Sequence, residues 1–228
     1  QNGGNVVVAN DASFGVSASS VSNSATVGSL TLGSGGATTL DFSYGFVGNP
    51  TNAALVASAV TVNGTSGIRI GGSFAVGTFP VLKYGSLSGA FAGTVVGPRG
   101  VTATLTDDTV NHVIKVTISS VGSGIVWTGT NAVSPNLWDL NTTTNWLFGG
   151  LPTDYIENVP PGDAVTFIDL GSGTVLLSNT GSPASVTISN TAVSYTIQGT
   201  GQISAPAGLT KVGAGAVTLN VPGTFTSS

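Results

Sequence analysis

The chain contains no cysteine and no methionine among its 228 residues, and only 6% of them are charged. Without thiols there are no disulfides and no thiolate metal sites, so backbone ladders and packing must hold the fold together. The cations are few: Lys83, Lys115, Lys211, Arg69 and Arg99 stand against nine acidic residues and give a net charge of −4. That balance excludes the several basic contacts needed to neutralise a phosphate backbone, so nucleic acid and anionic membrane surfaces are poor partners. The longest apolar runs, such as Val6 to Ala9 and Val175 to Leu177, fall far short of the roughly 20 residues that span a bilayer. No membrane insertion of this segment is expected. Gln1 opens the chain where Met would open a nascent one, which fits a processed mature protein or an expressed piece of one.

What the chain has in excess is glycine, with 34 residues, about twice the usual share. Each interior Gly costs a helix about 1 kcal/mol relative to Ala, and no long window shows helical apolar spacing. Long helices are excluded. The hydrophobic share of 40% still suffices for a substantial core.

Self-comparison exposes a recurring block of small, apolar, Thr, apolar. Its copies are SLTL at Ser29 to Leu32, AVTV at Ala59 to Val62, SVTI at Ser185 to Ile188 and AVTL at Ala216 to Leu219, with KVTI at Lys115 to Ile118 as a looser copy. Each of the four closer copies is followed, after a loop of Gly, Asn or Ser, by a second short alternating stretch: Thr39 to Phe42, Gly67 to Ile70, Tyr195 to Gln198, and Phe225 onward. Alternation at period two puts Leu30 and Leu32, or Val217 and Leu219, on one face, with Thr31 or Thr218 on the other. Strands this short do not hold an isolated hairpin together, but stacking copy on copy pairs each strand with its counterpart and builds a continuous apolar column. The expected fold is all-β, a parallel β-helix or solenoid of short strands with Gly and Asn at its corners. The alternative is an antiparallel β-sandwich, above all for the N-terminal half. The expected organisation is a β-rich segment over residues 1–124, solenoid or sandwich, followed by a solenoid segment over 125–228.

The stretch GLTKVGAGAVTLNVPGTFT, Gly208 to Thr226, resembles the autotransporter-associated β-strand repeat. Leu209, Thr210, Lys211, Gly213, Gly215, Thr218 and Leu219 fall on that pattern, and Phe225 stands at its aromatic position. Upstream, WTG at Trp127 to Gly129, WDLNTTTNW at Trp138 to Trp146 and PGDAVTFID at Pro161 to Asp169 look like the repeat-rich secreted proteins that carry the motif. The resemblance implies a bacterial extracellular or cell-surface β-helix, passenger-like, forming a stalk or adhesin segment without enzymatic activity. A solenoid ending in mid-rung also presents unpaired main-chain groups, so continuation in a longer chain, or head-to-tail self-association into a filament, is the expected partnership.

The candidates for chemistry are few. A polysaccharide-active β-helix needs carboxylates converging from adjacent rungs as an acid and base pair or a calcium cluster. The acids are Asp11, Asp41, Asp107, Asp108, Asp139, Asp154, Glu157, Asp163 and Asp169. Only Asp107 and Asp108 adjoin, in a TDDT stretch that reads as a hairpin turn. His112, the sole histidine, lacks a nucleophile or zinc partners nearby and reads as a solvated strand residue. Asp154, Glu157, Asp163 and Asp169 read as structural. Trp127, Trp138 and Trp146 fall within 20 residues and read as packing at a coil junction; the competing use of Trp138, Asp139 and Trp146, with Trp127, is a platform for surface glycans or a subunit interface. The glycine clusters Gly33 to Gly36 and Gly213 to Gly215 precede strands, which makes them turns, not phosphate loops. The sequence therefore points to a non-enzymatic structural protein without cofactor or metal, with carbohydrate binding as the rival function.

Overall fold

The computed structural model describes residues 3–45, 47–157, 159–205 and 208–225, and every regular element in it is a strand. The chain divides into two units, Gln1–Val121 and Gly122–Ser228. Both are built of stacked parallel coils, so the fold is a β-solenoid.

In the first unit each coil contributes one strand to each of two sheets. The four coils are β1 (Val6–Val8) with β2 (Ala12–Ser17), β3 (Ala25–Leu32) with β4 (Thr38–Ser43), β5 (Leu55–Val62) with β6 (Ser66–Gly71), and β7 (Gly77–Ser88) with β8 (Val95–Val96). Strands β1, β3, β5 and β7 run parallel in one sheet, and β2, β4, β6 and β8 in the other. Val6 pairs with Leu30, Leu30 with Val60, and Val60 with Leu87. The alternating pattern explains the burial: Leu30, Leu32, Leu40, Phe42, Val60, Ile68 and Leu82 point inward from both sheets into one apolar column, while Thr31 and Thr61, register partners, stand outside. Asparagines bolt successive corners together. The Asn10 side-chain oxygen accepts from the Ser34 and Gly36 amides, and the Asn63 amide nitrogen donates to the Gly33 carbonyl at 2.9 Å.

The parallel stack of this unit stops at β7. A hairpin of β9 (Thr102–Asp108) and β10 (Val113–Ser120) takes the free edge of β7, with β10 antiparallel to both β7 and β9. A bridge between Thr94 and Thr104 ties the hairpin back toward the second sheet. Ala103 and Leu105 pack against the core from above.

The second unit has three faces per coil. Strands β11 (Ile125–Trp127), β15 (Val165–Ile168), β17 (Val186–Ser189) and β20 (Leu209–Val212) form one parallel ladder. A second ladder contains β12 (Leu137–Trp138), β16 (Thr174–Leu177), β18 (Tyr195–Gly199) and β21 (Val217–Asn220). The third is β19 (Ile203–Ala205) with β22 (Gly223–Phe225), extended by bridges from Gly181 to Ile203 and from Gly162 to Pro183. Here a hairpin closes the opposite end of the stack: β13 (Trp146–Phe148) pairs antiparallel with β11, and β14 (Leu151–Thr153) with β13. Its turn is Gly149–Gly150, both at positive φ, as a two-residue hairpin loop of this hand requires.

The repeats translate into this geometry unevenly. SLTL and AVTV lie side by side as neighbouring rungs, Ser29 against Ala59 through Leu32 against Val62. SVTI and AVTL do not. SVTI belongs to β17 and pairs with Leu209–Lys211, whereas AVTL belongs to β21 and pairs with Tyr195–Ile197. With three faces, the coil is about 22 residues, as the 22-residue separation of Asp169 and Thr191 also marks, and the interval between those copies spans more than one turn. KVTI is no rung at all: it is the capping strand β10, antiparallel to its neighbours. The stretch from Phe225 onward closes β22, and its remainder lies outside the described residues. The antiparallel sandwich is not formed in the N-terminal half, where four parallel coils stand instead.

Candidate functional site

Trp127, Trp138 and Trp146 come from β11, β12 and β13, the three strands that open the second unit, and all three are completely buried. Their rings meet edge to face, Trp127 with Trp146 at 4.9 Å and Trp138 with Trp146 at 5.1 Å between centroids. Phe167 and Tyr155 complete the cluster. The Trp127 Nε1 donates to the Ser172 carbonyl at 2.9 Å. The buried Nε1 atoms of Trp138 and Trp146 have no hydrogen-bond partner among the described residues. A ring without exposed surface offers no face to a sugar. Asp139 is turned to its own loop, its Oδ1 accepting from the Thr143 amide at 2.9 Å and the Thr143 hydroxyl at 2.8 Å.

The carboxylates of this unit hold corners. Asp169 accepts main-chain N–H bonds from Thr191, Ala192 and Val193 of the next coil, each near 2.9 Å. The Val193 and Thr191 amides in particular hold its carboxyl below the usual carboxylate range. One coil further on, the buried Asn190 performs the same task, its side-chain amide donating to the carbonyls of Val193 and Ala216. Glu157 accepts from the Ser182 amide at 2.7 Å and from the Tyr155 hydroxyl at 2.8 Å, and burial followed by the Glu157 charge pushes that phenol upward. Asp163, itself buried, accepts from the Ile156 amide at 2.8 Å.

In the first unit Asp107 and Asp108 do not form the turn expected of them. They end strand β9, so their side chains diverge, and the turn is made by Thr109–His112. Asp107 accepts from the Tyr84 hydroxyl at 2.6 Å. Asp108 binds the Lys115 ammonium at 2.6 Å and the Asn111 side chain at 2.9 Å, and these contacts, that of Lys115 foremost, hold its carboxyl well below the usual range. His112 is not in a strand either: it sits in the turn at φ +56°, its ring stacked on Tyr84 at 5.4 Å. Burial, then the bond to Asp107, pushes the Tyr84 hydroxyl up to about 12. Asp41 pairs with Arg69 through two bonds of 2.7 Å between strands β4 and β6. The adjacent acids thus serve separate structural contacts, and no three His, Asp or Glu side chains gather as a metal set among the described residues.

One concavity combines a cation with an apolar floor. On the outer face of the first sheet, register places Val56, Lys83 and Val113 side by side on β5, β7 and β10. With Ser24, Thr51, Asn52, Ala53 and Pro80 they line a groove of about 400 Å³. Sequence reasoning passed over Lys83, since its neighbours lie 27 and 30 positions away and are joined only by strand pairing. Set against known proteins, the chain matches no protein family, no curated protein and no solved structure.

Proposed function

We propose that the chain is a non-enzymatic structural protein of the bacterial cell surface or its surroundings, serving as a stalk or adhesin segment of the kind that autotransporter-associated repeats build. The observation that carries this reading is how the ionisable side chains are used. Asp41, Asp107, Asp108, Asp139, Glu157, Asp163 and Asp169 are each engaged in an ion pair, a turn or a main-chain corner. Catalysis needs acids and bases aimed at a cleft, whereas a scaffold needs ladders and fixed corners.

Lys211, the register partner of the inward Ile188, lies on β20, an edge strand among the described residues, and its Nζ donates to the carbonyls of Val212 and Gly213. A charge in that position discourages edge-to-edge pairing.

Antibody labelling of intact producing cells, compared with lysed cells and with the culture medium, tests the proposal. Labelling of the unbroken surface or recovery from the medium is the expected result. Antigen confined to the cytosol overturns it.

A further inference from the structure

We propose that the Lys83 groove binds a carbohydrate bearing a carboxylate, that is, a uronate-containing glycan. The row across the sheet reads Thr26, Val56, Lys83, Val113, Asp108. Neighbouring strands are about 4.8 Å apart, so Asp108 is the acid of that row, two strands from Lys83. It is already committed to Lys115 and Asn111. No ion pair neutralises Lys83 among the described residues, and its side chain is exposed. The groove therefore presents a cation without a counter-charge.

The rim decides what else the ligand must carry. Ser24 Oγ donates to the Ala53 carbonyl at 2.6 Å, Thr51 Oγ1 to the Val21 carbonyl at 3.1 Å, and Asn52 Nδ2 to the Ser22 carbonyl at 3.1 Å. The hydroxyl protons of Ser24 and Thr51 are thereby spent inside the protein. What remains on these lining residues are the lone pairs of the two hydroxyl oxygens and of the Asn52 carbonyl oxygen, which accept, together with the second Nδ2–H of Asn52, which donates. A matching ligand brings O–H donors for those oxygens and one anionic acceptor for Lys83. Inorganic phosphate has P–OH donors at neutral pH but no C–H face to cover the apolar floor, and a neutral sugar leaves the ammonium without a partner. A uronate has both, and the C–H face of its ring suits a floor of Val56, Pro80 and Val113. The volume of about 400 Å³ falls within the range of small-ligand sites.

The test is a methyl-resolved NMR titration of the intact chain with trigalacturonate, galactotriose and inorganic phosphate in parallel, repeated on Lys83→Gln and on the control Lys211→Gln. Expected are shifts at the Val56 and Val113 methyls with trigalacturonate, weakened about tenfold by Lys83→Gln, as for loss of one charge-assisted hydrogen bond. Lys211→Gln leaves the affinity within about twofold, since its ammonium is engaged with the Val212 and Gly213 carbonyls and does not line the groove, and galactotriose binds about tenfold more weakly than the uronate. Unmoved Val56 and Val113 methyls, unchanged affinity in Lys83→Gln, or an equal response to phosphate or galactotriose would each overturn the proposal. Lys83 is exposed and unpaired, so its replacement leaves the fold intact, and the unliganded spectrum verifies this directly.

Discussion

Replacing Phe167 by Ala should lower the stability of the second unit alone, by an amount the packing sets. The ring is fully buried and touches four other aromatic side chains, Trp127, Trp138, Trp146 and Tyr195. Truncating such a residue costs about 3–5 kcal/mol, because lost transfer energy is joined by the cavity left behind. A unit of this size has a total stability of about 5–15 kcal/mol. At roughly 4–5 °C per kcal/mol, its melting midpoint falls by about 12–25 °C. The assay is unusually clean, since all three tryptophans of the chain lie in this unit and survive the substitution. Tryptophan fluorescence follows the second unit, and calorimetry follows both. The two apolar clusters share no residue, so the first unit's transition should stay where it is. A drop of only a few degrees, or an equal shift of both transitions, would refute the reasoning: the first would mean the cluster is not close-packed, the second that the cores are one.

Further outcomes are expected. Asp169→Ala should destabilise the second unit at neutral pH. Because the native pKa is depressed, that contribution is present above the ordinary carboxylate range and vanishes as pH falls through the native value, so urea midpoints of variant and parent should converge in strong acid. Conversely, raised phenol pKa values make the first unit lose stability as pH climbs above 10, with the Tyr84 share lost up to about 12; alkaline melts of Tyr84→Phe should show a shallower decline, the remainder arising from the buried Tyr44. Gly199→Ala should cost about 1–3 kcal/mol, since φ is +133° and a Cβ would lie 2.2 Å from the Leu177 carbonyl oxygen, whereas Gly15→Ala, with open space around it, should change the midpoint by about 0.5 kcal/mol or less. Lys211→Ile should restore the inward apolar column and promote self-association, read as concentration-dependent mass in light scattering.

The architecture was legible where sequence period and coil length coincide. SLTL and AVTV are one coil apart, so their alternation predicts both register and burial, down to the inward Leu30 and Leu32. In the second unit the same four-letter pattern serves two different faces, since any outward Thr between inward aliphatics satisfies it. Nothing in SVTI or AVTL says which ladder each joins. The caps were hidden for a related reason: KVTI has the alternation of a rung, and only the preceding turn at Thr109–His112 reverses its direction. The acids were legible as structural, but not their partners, because Asp169 reaches amides 22 to 24 residues away through stacking. The Lys83 groove has no linear signature, being assembled from three strands whose adjacency follows from the fold.

The position of the two hairpins constrains how such a protein can evolve. Each seals the ladder on the side toward the middle of the chain, on β7 in one unit and β11 in the other. Gene duplication of a whole rung is consequently tolerable among β3 to β6, or among β15 to β22, where the copy meets a matching surface above and below. The same duplication placed between β7 and β11 would strand a rung against a sealed edge. Length variation among descendants of this chain should therefore accumulate on its flanks and leave the central stretch unchanged.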